Sequence, residues 1–284
     1  MNILTFDIED WWVYDHFSIG KPGDYLPRLD RYLSEILDLL DERGFKATFF
    51  CLGHVASKYP QVIKKIANRG HHIGSHSYGH RFLGDLNPDE FALDTKLGIE
   101  VLEDIIGSKV DSYRAPAFSI TPNSKWAIEI LTENGIKYDC SIYPSTRSFG
   151  GFPSFGENKP CIIKYNNKEI REFPMSLTKV LGKDIAYSGG GYFRLLPYSM
   201  VKQIVNKADY TICYFHLKDF DYQQDKKGSL LTSKELFLVR YFKNYYGIKG
   251  AYTKFKIFMH DFEFISIKQA ASLIDWKSAP IINL

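Results

Sequence analysis

The stretch ATFFCLGHVASKYPQVIKKIANRGHHIGSHSYGH, residues 47–80, contains the unit that decides the fold. Its first residues form a short apolar run that is typical of a buried strand, and residues 61–70 have helical spacing. Residues 71–78 return to a strand that runs into a loop. A strand, a helix and a second strand in this order predict two parallel strands with the helix covering the sheet.

The same alternation continues on both sides of this unit. The apolar strand NILTFDI precedes it, and helix-like and strand-like segments alternate after it as far as YTICYFHLKD, residues 210–219. About seven such units, with no GxGxxG after the first strand, predict an α/β fold in which a (β/α) barrel forms rather than an open nucleotide-binding sheet. We expect residues 1–284 to form one domain, with the lysine- and aromatic-rich residues 223–260 as a helical insertion or appendage.

The composition limits the classes of function. Hydrophobic residues make up 45% of the 284 residues and aromatic residues 15%, which is enough for a buried core and excludes a largely disordered chain. The net charge of +3 is too small to predict nucleic-acid binding, although it suits an anionic glycan or a membrane surface. The four cysteines include no CxxC pair, which predicts buried free thiols.

The N-terminal sequence and the apolar stretches of the chain predict its cellular location. MNILTFDIEDWW has no basic region before its carboxylates, which is unlike a signal peptide. No apolar stretch approaches the roughly 18 residues that are needed to span a bilayer. A cytoplasmic location is therefore the expectation from sequence.

Two histidines and a group of acids are candidates for a metal site. His76 and His80 are four residues apart, and on a helical turn such side chains lie about 5–6 Å apart at Cβ, close enough to share an ion. Asp7, Glu9 and Asp10 cluster where the first apolar strand ends. Two imidazoles and one carboxylate would leave coordination positions open for water and substrate. The alternatives are two solvated or packed histidines and a solvated strand end.

An arginine and a further histidine could complete a catalytic site. Arg114 in YRAPAF ends another strand and could form an ion pair with the acid cluster. His216 in YFHLKDF ends a late strand and could act as a general acid, its pKa raised by a carboxylate such as Asp139. A surface arginine and a core histidine are the alternatives. All of these residues fall at the carboxyl ends of predicted strands, which converge in a barrel.

Taken in order, several motifs resemble the polysaccharide deacetylase family, also called the NodB-homology or carbohydrate esterase family 4 domain. The motifs are TFDIEDWW, ATFFCLGHVASKYP, GHHIGSHSYGH, YRAPAFSITPNSKWAIEILTENGIKYDCSIYP, GGGYFRLLPY and YFHLKDFD. The first is similar to the branch of the family that opens with DxED. The resemblance implies a distorted (β/α) barrel of about seven strands and a metal-dependent hydrolase that removes an N-acetyl group from an acetylated amino sugar.

The resemblance also implies roles for the candidate residues. His76 and His80 would bind Zn²⁺ or a similar divalent ion, and Asp7 would be the catalytic base. The family's metal-binding aspartate normally follows the base directly, but Ile8 occupies that position here, so either Glu9 or Asp10 would supply the carboxylate.

The remaining roles concern the base, the acid and the substrate. Arg114 would orient the base, and His216 would be the general acid with Asp139 as its partner. The metal and a backbone N–H near Ala117 would hold the oxyanion. Four aromatic residues would line the sugar site or pack in the core: Trp11, Trp12, Tyr192 and Phe193.

Other interpretations of the same residues remain open. An amidohydrolase that cleaves another C–N bond could use the same barrel, since members of one fold differ in their loops. A catalytically silent glycan-binding domain is a second alternative, but binding alone would not need both an acid and a base. The basic segment from Lys226 to Lys256 is interpreted either as a helical hairpin packed on the barrel or as a contact for a lipid-linked sugar or a membrane surface.

Overall fold

The computed structural model describes residues 1–9, 26–147, 150–180, 182–223 and 245–284. The strands in these residues are β1 (Asn2–Ile8), β2 (Thr48–Cys51), β3 (His72–Ser75), β4 (Ser112–Tyr113), β5 (Tyr138–Asp139), β6 (Cys161–Tyr165), β7 (Lys168–Glu172), β8 (Thr178–Val180), β9 (Lys183–Ile185), β10 (Thr211–His216) and β11 (Ile281–Asn283). The helices are α1 (Leu26–Arg43), α2 (Gly53–Lys58), α3 (Pro60–Asn68), α4 (Pro88–Ile106), α5 (Ala127–Glu133), α6 (Gly190–Leu195), α7 (Tyr198–Lys207), α8 (Ile248–Asp261) and α9 (Ile267–Leu273). None of these described helices has the length and apolar character to cross a membrane.

One large sheet carries the fold. Its strand order is β10-β1-β2-β3-β4-β5-β7-β6-β11, and the seven strands from β10 to β7 are mutually parallel. β6 is antiparallel to β7 and joins it as a hairpin. Strands such as β2 are buried along their whole length, which explains their continuous apolar sequence. The predicted α/β fold with about seven parallel strands is confirmed.

The barrel is closed between β7 and β10 by side-chain hydrogen bonds rather than by a strand ladder among the described residues. After β7 the chain runs along β10, where Ser176 Oγ accepts a hydrogen bond from the backbone N–H of Ile212 (2.9 Å). Ser188 Oγ donates to the carbonyl oxygen of Ile212 (2.8 Å), and Tyr210 Oη donates to that of Pro174 (2.8 Å). The first two of these bonds satisfy the outer N–H and carbonyl groups of Ile212 on β10.

The parallel strands deliver their carboxyl ends to one edge of the barrel. β1 is followed directly by Glu9, β3 by His76 and β4 by Arg114, while β10 ends at His216. In the register of β1 against β10, Asp7 lies beside His216. Residues that are far apart in the sequence therefore meet at one end of the barrel, as predicted.

The last helices of the chain are part of the core. Residues 224–244 of the predicted helical segment lie outside the described residues, but its remainder contains α8. Phe255 of α8 is fully buried, and its ring lies 5.3 Å from that of Phe215 and 6.0 Å from that of Phe6. Lys254 donates hydrogen bonds to backbone carbonyls at the end of α6, so its ammonium group is not a solvated surface charge.

The cysteines behave as predicted. All four are buried and none forms a disulfide: Cys51, Cys140, Cys161 and Cys213. Burial raises the pKa of each thiol above its ordinary value, because the thiolate would lie in an apolar environment. These thiols are therefore packing groups, and the prediction of buried free cysteines is confirmed.

The packing of α8 leads to a stability prediction. Phe255→Ala should lower the free energy of unfolding by about 3–5 kcal/mol, because it leaves a cavity among buried aromatic rings. Ile257→Ala on the same helix is the control, since this side chain is 45% exposed and its loss should cost no more than about 0.5 kcal/mol. Urea unfolding of both variants measures the difference, and equal small effects would show that α8 is not part of the cooperative core.

Candidate active site

The loop after β3 holds two histidines in an irregular turn. The sequence predicted a helical turn, but Ser77 and His80 have φ of 67° and 54°, so the backbone turns through the left-handed region. The imidazole rings of His76 and His80 still come together, with their centroids 5.2 Å apart. Asp94 of α4 stabilises this shape by accepting hydrogen bonds from two successive backbone N–H groups of the loop, at 2.8 and 2.9 Å.

The sequence predicted no role for the two residues of α4 that hold this loop, Asp94 and Gly98. A Cβ atom on Gly98 would lie 2.9 Å from the carbonyl carbon of Ser77, so only glycine allows the helix to approach so closely. Asp94 supplies the hydrogen bonds described above. Their positions on α4 carry no local sequence signal, because their role arises only when the helix packs on the loop.

Glu9 lies between the two histidines. Its Oε1 is 2.7 Å from His76 Nε2 and 3.1 Å from His80 Nε2, and all three side chains are buried. His76 Nδ1 donates a hydrogen bond to the carbonyl oxygen of Arg114 (2.7 Å), which places the proton of a neutral imidazole on Nδ1. Nε2 then faces Glu9 with a lone pair, so the short contact requires a proton or a cation between them. Asp10 lies outside the described residues.

These three side chains fit a divalent cation. Burial alone would raise the pKa of Glu9, but the positive charges of His80 and His216 and the hydrogen bonds from His76 and His80 lower it well below its ordinary value. The carboxylate is thus ionised, and its Oε2 is buried without a hydrogen-bond partner. One carboxylate oxygen and two imidazole nitrogens, all within 4.8 Å of one another, form a donor set that suits Zn²⁺.

A buried ion pair holds Asp7 next to this cluster. Arg114 is fully buried, and its Nη1 donates to Asp7 Oδ1 at 2.7 Å. Its Nε donates to the carbonyl oxygen of Cys140, and its guanidinium carbon lies 4.3 Å from the ring centroid of Phe50. The other carboxylate oxygen of Asp7 faces His216 Nε2 at 3.7 Å. The predicted base and the predicted acid therefore stand opposite each other.

The carboxylate that contacts His216 is Asp219, not the predicted Asp139. The short 3-10 turn at Leu217–Asp219 bends the chain back, so that Asp219 Oδ2 lies 3.2 Å from His216 Nδ1 and accepts from its backbone N–H at 2.8 Å. Arg194 of α6 pairs with the other oxygen of Asp219. Burial would raise the pKa of Asp219, but Arg194 and His216 hold it below its ordinary value.

Asp139 instead belongs to a second buried pair of carboxyl groups. It lies beside Glu172 in the register of β5 against β7, and both side chains are fully buried. Burial raises the pKa of Asp139 to about 6, and burial together with the charge of Asp139 raises that of Glu172 well above its ordinary value. Ser141 donates to Asp139 and accepts from the backbone N–H of Ala115, so the pair supports the segment that follows Arg114.

The predicted substrate-contacting residues have different positions. Ala117 lies in a short turn where it and Phe118 have φ of 54° and 55°, an uncommon conformation for side chains other than glycine that is enriched at functional sites. Tyr192 is 42% exposed, whereas Phe193 is buried against Phe215 and Phe258 and is a core residue. Burial of its ring therefore contradicts the prediction that Phe193 lines the sugar site. Trp11 and Trp12 lie outside the described residues.

Comparison with protein families decides the relationship. Residues 3–138 match the family model described as polysaccharide deacetylase. Residues 3–138 belong to the polysaccharide deacetylase family. Residues 140–272 match a domain of unknown function, DUF3473. The family predicted from the sequence is confirmed, and the candidate site combines Asp7, Glu9 and Arg114 from the deacetylase segment with His216 and Asp219 from the second segment.

Curated relatives match parts of the chain. A peptidoglycan-N-acetylglucosamine deacetylase from Bacillus cereus is 40% identical over 117 residues, which cover 41% of this chain and 42% of that protein. A chitin deacetylase from Arthroderma benhamiae is 37% identical over 93 residues, which cover 31% of this chain and 25% of that protein. The match therefore spans less than half the length of each relative.

Solved structures support the fold of the whole chain. A polysaccharide deacetylase homologue from Mycobacterium smegmatis superposes with a TM-score of 0.64 at 18% sequence identity, covering 100% of this chain and 92% of that one. The peptidoglycan deacetylase PdaC from Bacillus subtilis superposes with a TM-score of 0.50 at 14% sequence identity, and the match covers 96% of this chain and 90% of that one. At these identities the likeness concerns the fold alone.

The Asp139–Glu172 pair leads to a prediction about pH. Because the pKa of Asp139 rises from 3.8 to about 6 on folding, the folded state binds more protons than the unfolded chain between these values. Stability from this pair is present at pH 4 and is lost as the pH rises through 6, at up to about 1.4 kcal/mol per pH unit for each proton. Glu172→Gln removes one of the two charges and should flatten this slope.

The measurement is urea unfolding of both proteins at a series of pH values from 4 to 7.5. Glu169→Gln is the matched control, because Glu169 lies exposed on the same strand and its change should leave the slope as in the wild type. Titration of other groups affects all three proteins alike. Parallel curves for the wild type and Glu172→Gln would show that the pair does not hold a shared proton.

Proposed function

We propose that this protein is a metal-dependent hydrolase that removes an N-acetyl group from an acetylated amino sugar of a polysaccharide or its precursor. The observation that carries the proposal is the arrangement of Asp7, held by Arg114, opposite His216 and beside the cluster of Glu9 and two histidines. A base, an acid and a cation-binding donor set at one end of a barrel are what hydrolysis of an amide requires. The names of the relatives support the same substrate class.

Glu9, His76 and His80 would hold the metal ion, which we propose to be Zn²⁺. When bound, such an ion polarises the amide carbonyl and lowers the pKa of water. The carbonyl oxygen of Arg114 fixes the proton of His76 on Nδ1 and so presents Nε2 as the ligand atom. Glu9 remains ionised at neutral pH and supplies the negative charge.

Asp7 would accept the proton of the attacking water. Its ion pair with Arg114 keeps one carboxylate oxygen engaged, which fixes the orientation of the other toward the site. Since Arg114 is fully buried, the carboxylate cannot rotate away without leaving an unpaired charge in the core. A backbone N–H at the strained turn of Ala117 would contribute to the oxyanion site.

His216 would protonate the departing amine. The contact of its Nδ1 with Asp219 places the other ring nitrogen toward the reacting groups. Arg194 holds Asp219 ionised in this buried position. We assign Asp139 a positioning role, through Ser141 and the segment that leads to Ala117.

A finer version of the proposal concerns where the enzyme meets its substrate. The substrate would be a lipid-linked precursor at the cytoplasmic membrane surface, contacted by basic residues of the C-terminal segment. Lys249 and Lys256 on α8 support this version because they are exposed, whereas Lys254 does not contribute. This version is tested by measuring acetate release from a lipid-linked acetylated sugar and from the free oligosaccharide and comparing the two rates.

Metal content is the first test. The purified protein should carry about one divalent ion per chain, and His76→Ala, His80→Ala and Glu9→Gln should each lose it, because each removes one ligand. His260→Ala is the control, since this imidazole is 79% exposed. Elemental analysis after dialysis against trace zinc measures the metal content of each variant. Loss in Asp10→Asn with retention in Glu9→Gln would assign the carboxylate ligand to Asp10 instead.

Turnover on acetylated oligosaccharides is the second test. Asp7→Asn and His216→Ala should keep the ion, because neither residue belongs to the ligand set, and each should lose roughly 10²–10⁴ in kcat, the usual contribution of positioned proton transfer. Acetate release from chitin oligosaccharides and from peptidoglycan fragments measures it. Binding of these glycans without acetate release by the metal-loaded wild type would favour a silent glycan-binding domain, and release of another product would favour a different amidohydrolase.

A further inference from the structure

Arg147 is a half-buried arginine whose positive charge has no carboxylate partner among the described residues. Its guanidinium carbon lies 4.7 Å from the ring centroid of Tyr143 and 5.0 Å from that of Phe118. Its Nη1 is buried and makes no hydrogen bond, and no ion pair joins Arg147 to a carboxylate of the described residues. A guanidinium stays protonated in proteins, so its buried N–H groups cost free energy unless an acceptor reaches them.

Two buried arginines of this region show what normally balances such a charge. Arg114 pairs with Asp7, and Arg194 pairs with Asp219. Asp184 lies beside the loop of Arg147, where its carboxylate accepts a hydrogen bond from Ser145 Oγ at 2.9 Å. Arg147 therefore differs from the arginines that serve the site through a carboxylate of the protein itself.

Arg147 stands next to the candidate active site. Phe118, on which it stacks, follows Ala117 in the strained turn and lies 5.2 Å from the ring of Tyr214. The ring of Tyr214 lies 5.7 Å from that of His216. Burial raises the pKa of Tyr214, and both the charge of Arg147 and a hydrogen bond between the two side chains oppose this effect. A continuous aromatic wall thus connects Arg147 with the proposed acid.

The chemistry of this position selects an anion. A planar guanidinium that packs against two aromatic rings can bind a carboxylate or a phosphate through two parallel N–H groups. A neutral sugar hydroxyl would satisfy the hydrogen bond of Nη1 but would leave the half-buried charge unbalanced. The aromatic rings also exclude water, which strengthens an ion pair formed there.

We infer that Arg147 binds an anionic group, a carboxylate or a phosphate, that the acetylated glycan carries close to the acetyl group to be removed. This inference rests on the proposed deacetylase function and adds to it a substrate class, namely anionic rather than neutral amino-sugar glycans. Arg147 would be a specificity-determining residue that does not take part in proton transfer.

The experiment uses the full chain loaded with zinc and three forms of one N-acetylglucosamine tetrasaccharide. One form is neutral, one has a terminal 6-hydroxymethyl group oxidised to a carboxylate, and one carries a phosphate at that position. For each form kcat/KM is measured by acetate release, and Kd by calorimetry at a pH at which the sugar is not turned over or with Asp7→Asn. The carboxylate and phosphate arms distinguish the two sources of negative charge.

The wild type should prefer at least one anionic form. Arg147→Gln should lower kcat/KM on that form on the order of 10- to 100-fold, the loss expected for one charge-assisted contact, and leave the neutral form within about twofold. Arg147→Lys should retain part of the preference, because a point charge remains without the planar fork. Arg171→Gln is the matched control: this arginine stacks on Trp276 at 5.0 Å on another part of the barrel and should change neither substrate.

The outcomes separate this inference from the function on which it rests. Equal turnover and binding of charged and neutral forms by the wild type overturns the inference, and so does an equal loss on all forms in Arg147→Gln, which indicates a structural role only. If no form releases acetate, the proposed function fails. A binding preference for the anionic form that disappears in Arg147→Gln would still support the subsite in that case.

Discussion

The buried ion pair between Arg114 and Asp7 is the interaction on which the candidate site depends. The Arg114 side chain reaches from the end of β4 across the ring of Phe50 on β2 to the end of β1. The same residue uses its carbonyl oxygen to fix the tautomer of His76 and its backbone N–H to bind the carbonyl oxygen of Ser75. Removal of one partner would leave an uncompensated buried charge, at a cost of about 3–5 kcal/mol. The orientation of the proposed base therefore depends on the side chain of Arg114, and that of the proposed ligand His76 depends on its backbone.

Three buried carboxyl groups in this barrel illustrate how neighbours decide protonation. Glu9 is buried at the candidate site, yet the charges of His80 and His216 and the hydrogen bonds from His76 and His80 lower its pKa. Asp139 and Glu172 are equally buried, but each faces mainly the other, and burial raises the pKa of both. Burial is therefore common to all three carboxyl groups, and the histidines around Glu9 reverse its effect on the pKa there.

The sequence predicted strand ends well and side-chain partners poorly, for a physical reason. Parallel strands place their carboxyl ends at one edge of the sheet, so Asp7, His76 and Arg114 could be brought together without knowing any loop. The partner of His216 could not be predicted in this way, because Asp219 reaches the imidazole only through a local 3-10 turn. The burial of Phe193 depends on α8, which contacts it from the far end of the chain. Packing between segments that are far apart in the sequence produces no local hydrophobic periodicity from which it could be predicted.

The candidate site also shows that the two matched segments form one unit. β1 of the deacetylase segment pairs on one side with β2 and on the other with β10 of the DUF3473 segment. In that register Asp7 lies beside His216, so the proposed base and acid come from different segments. Without β10, the buried strand β1 would present an unpaired apolar edge, and the base would face no acid. The second segment thus completes the parallel sheet and supplies the proposed acid.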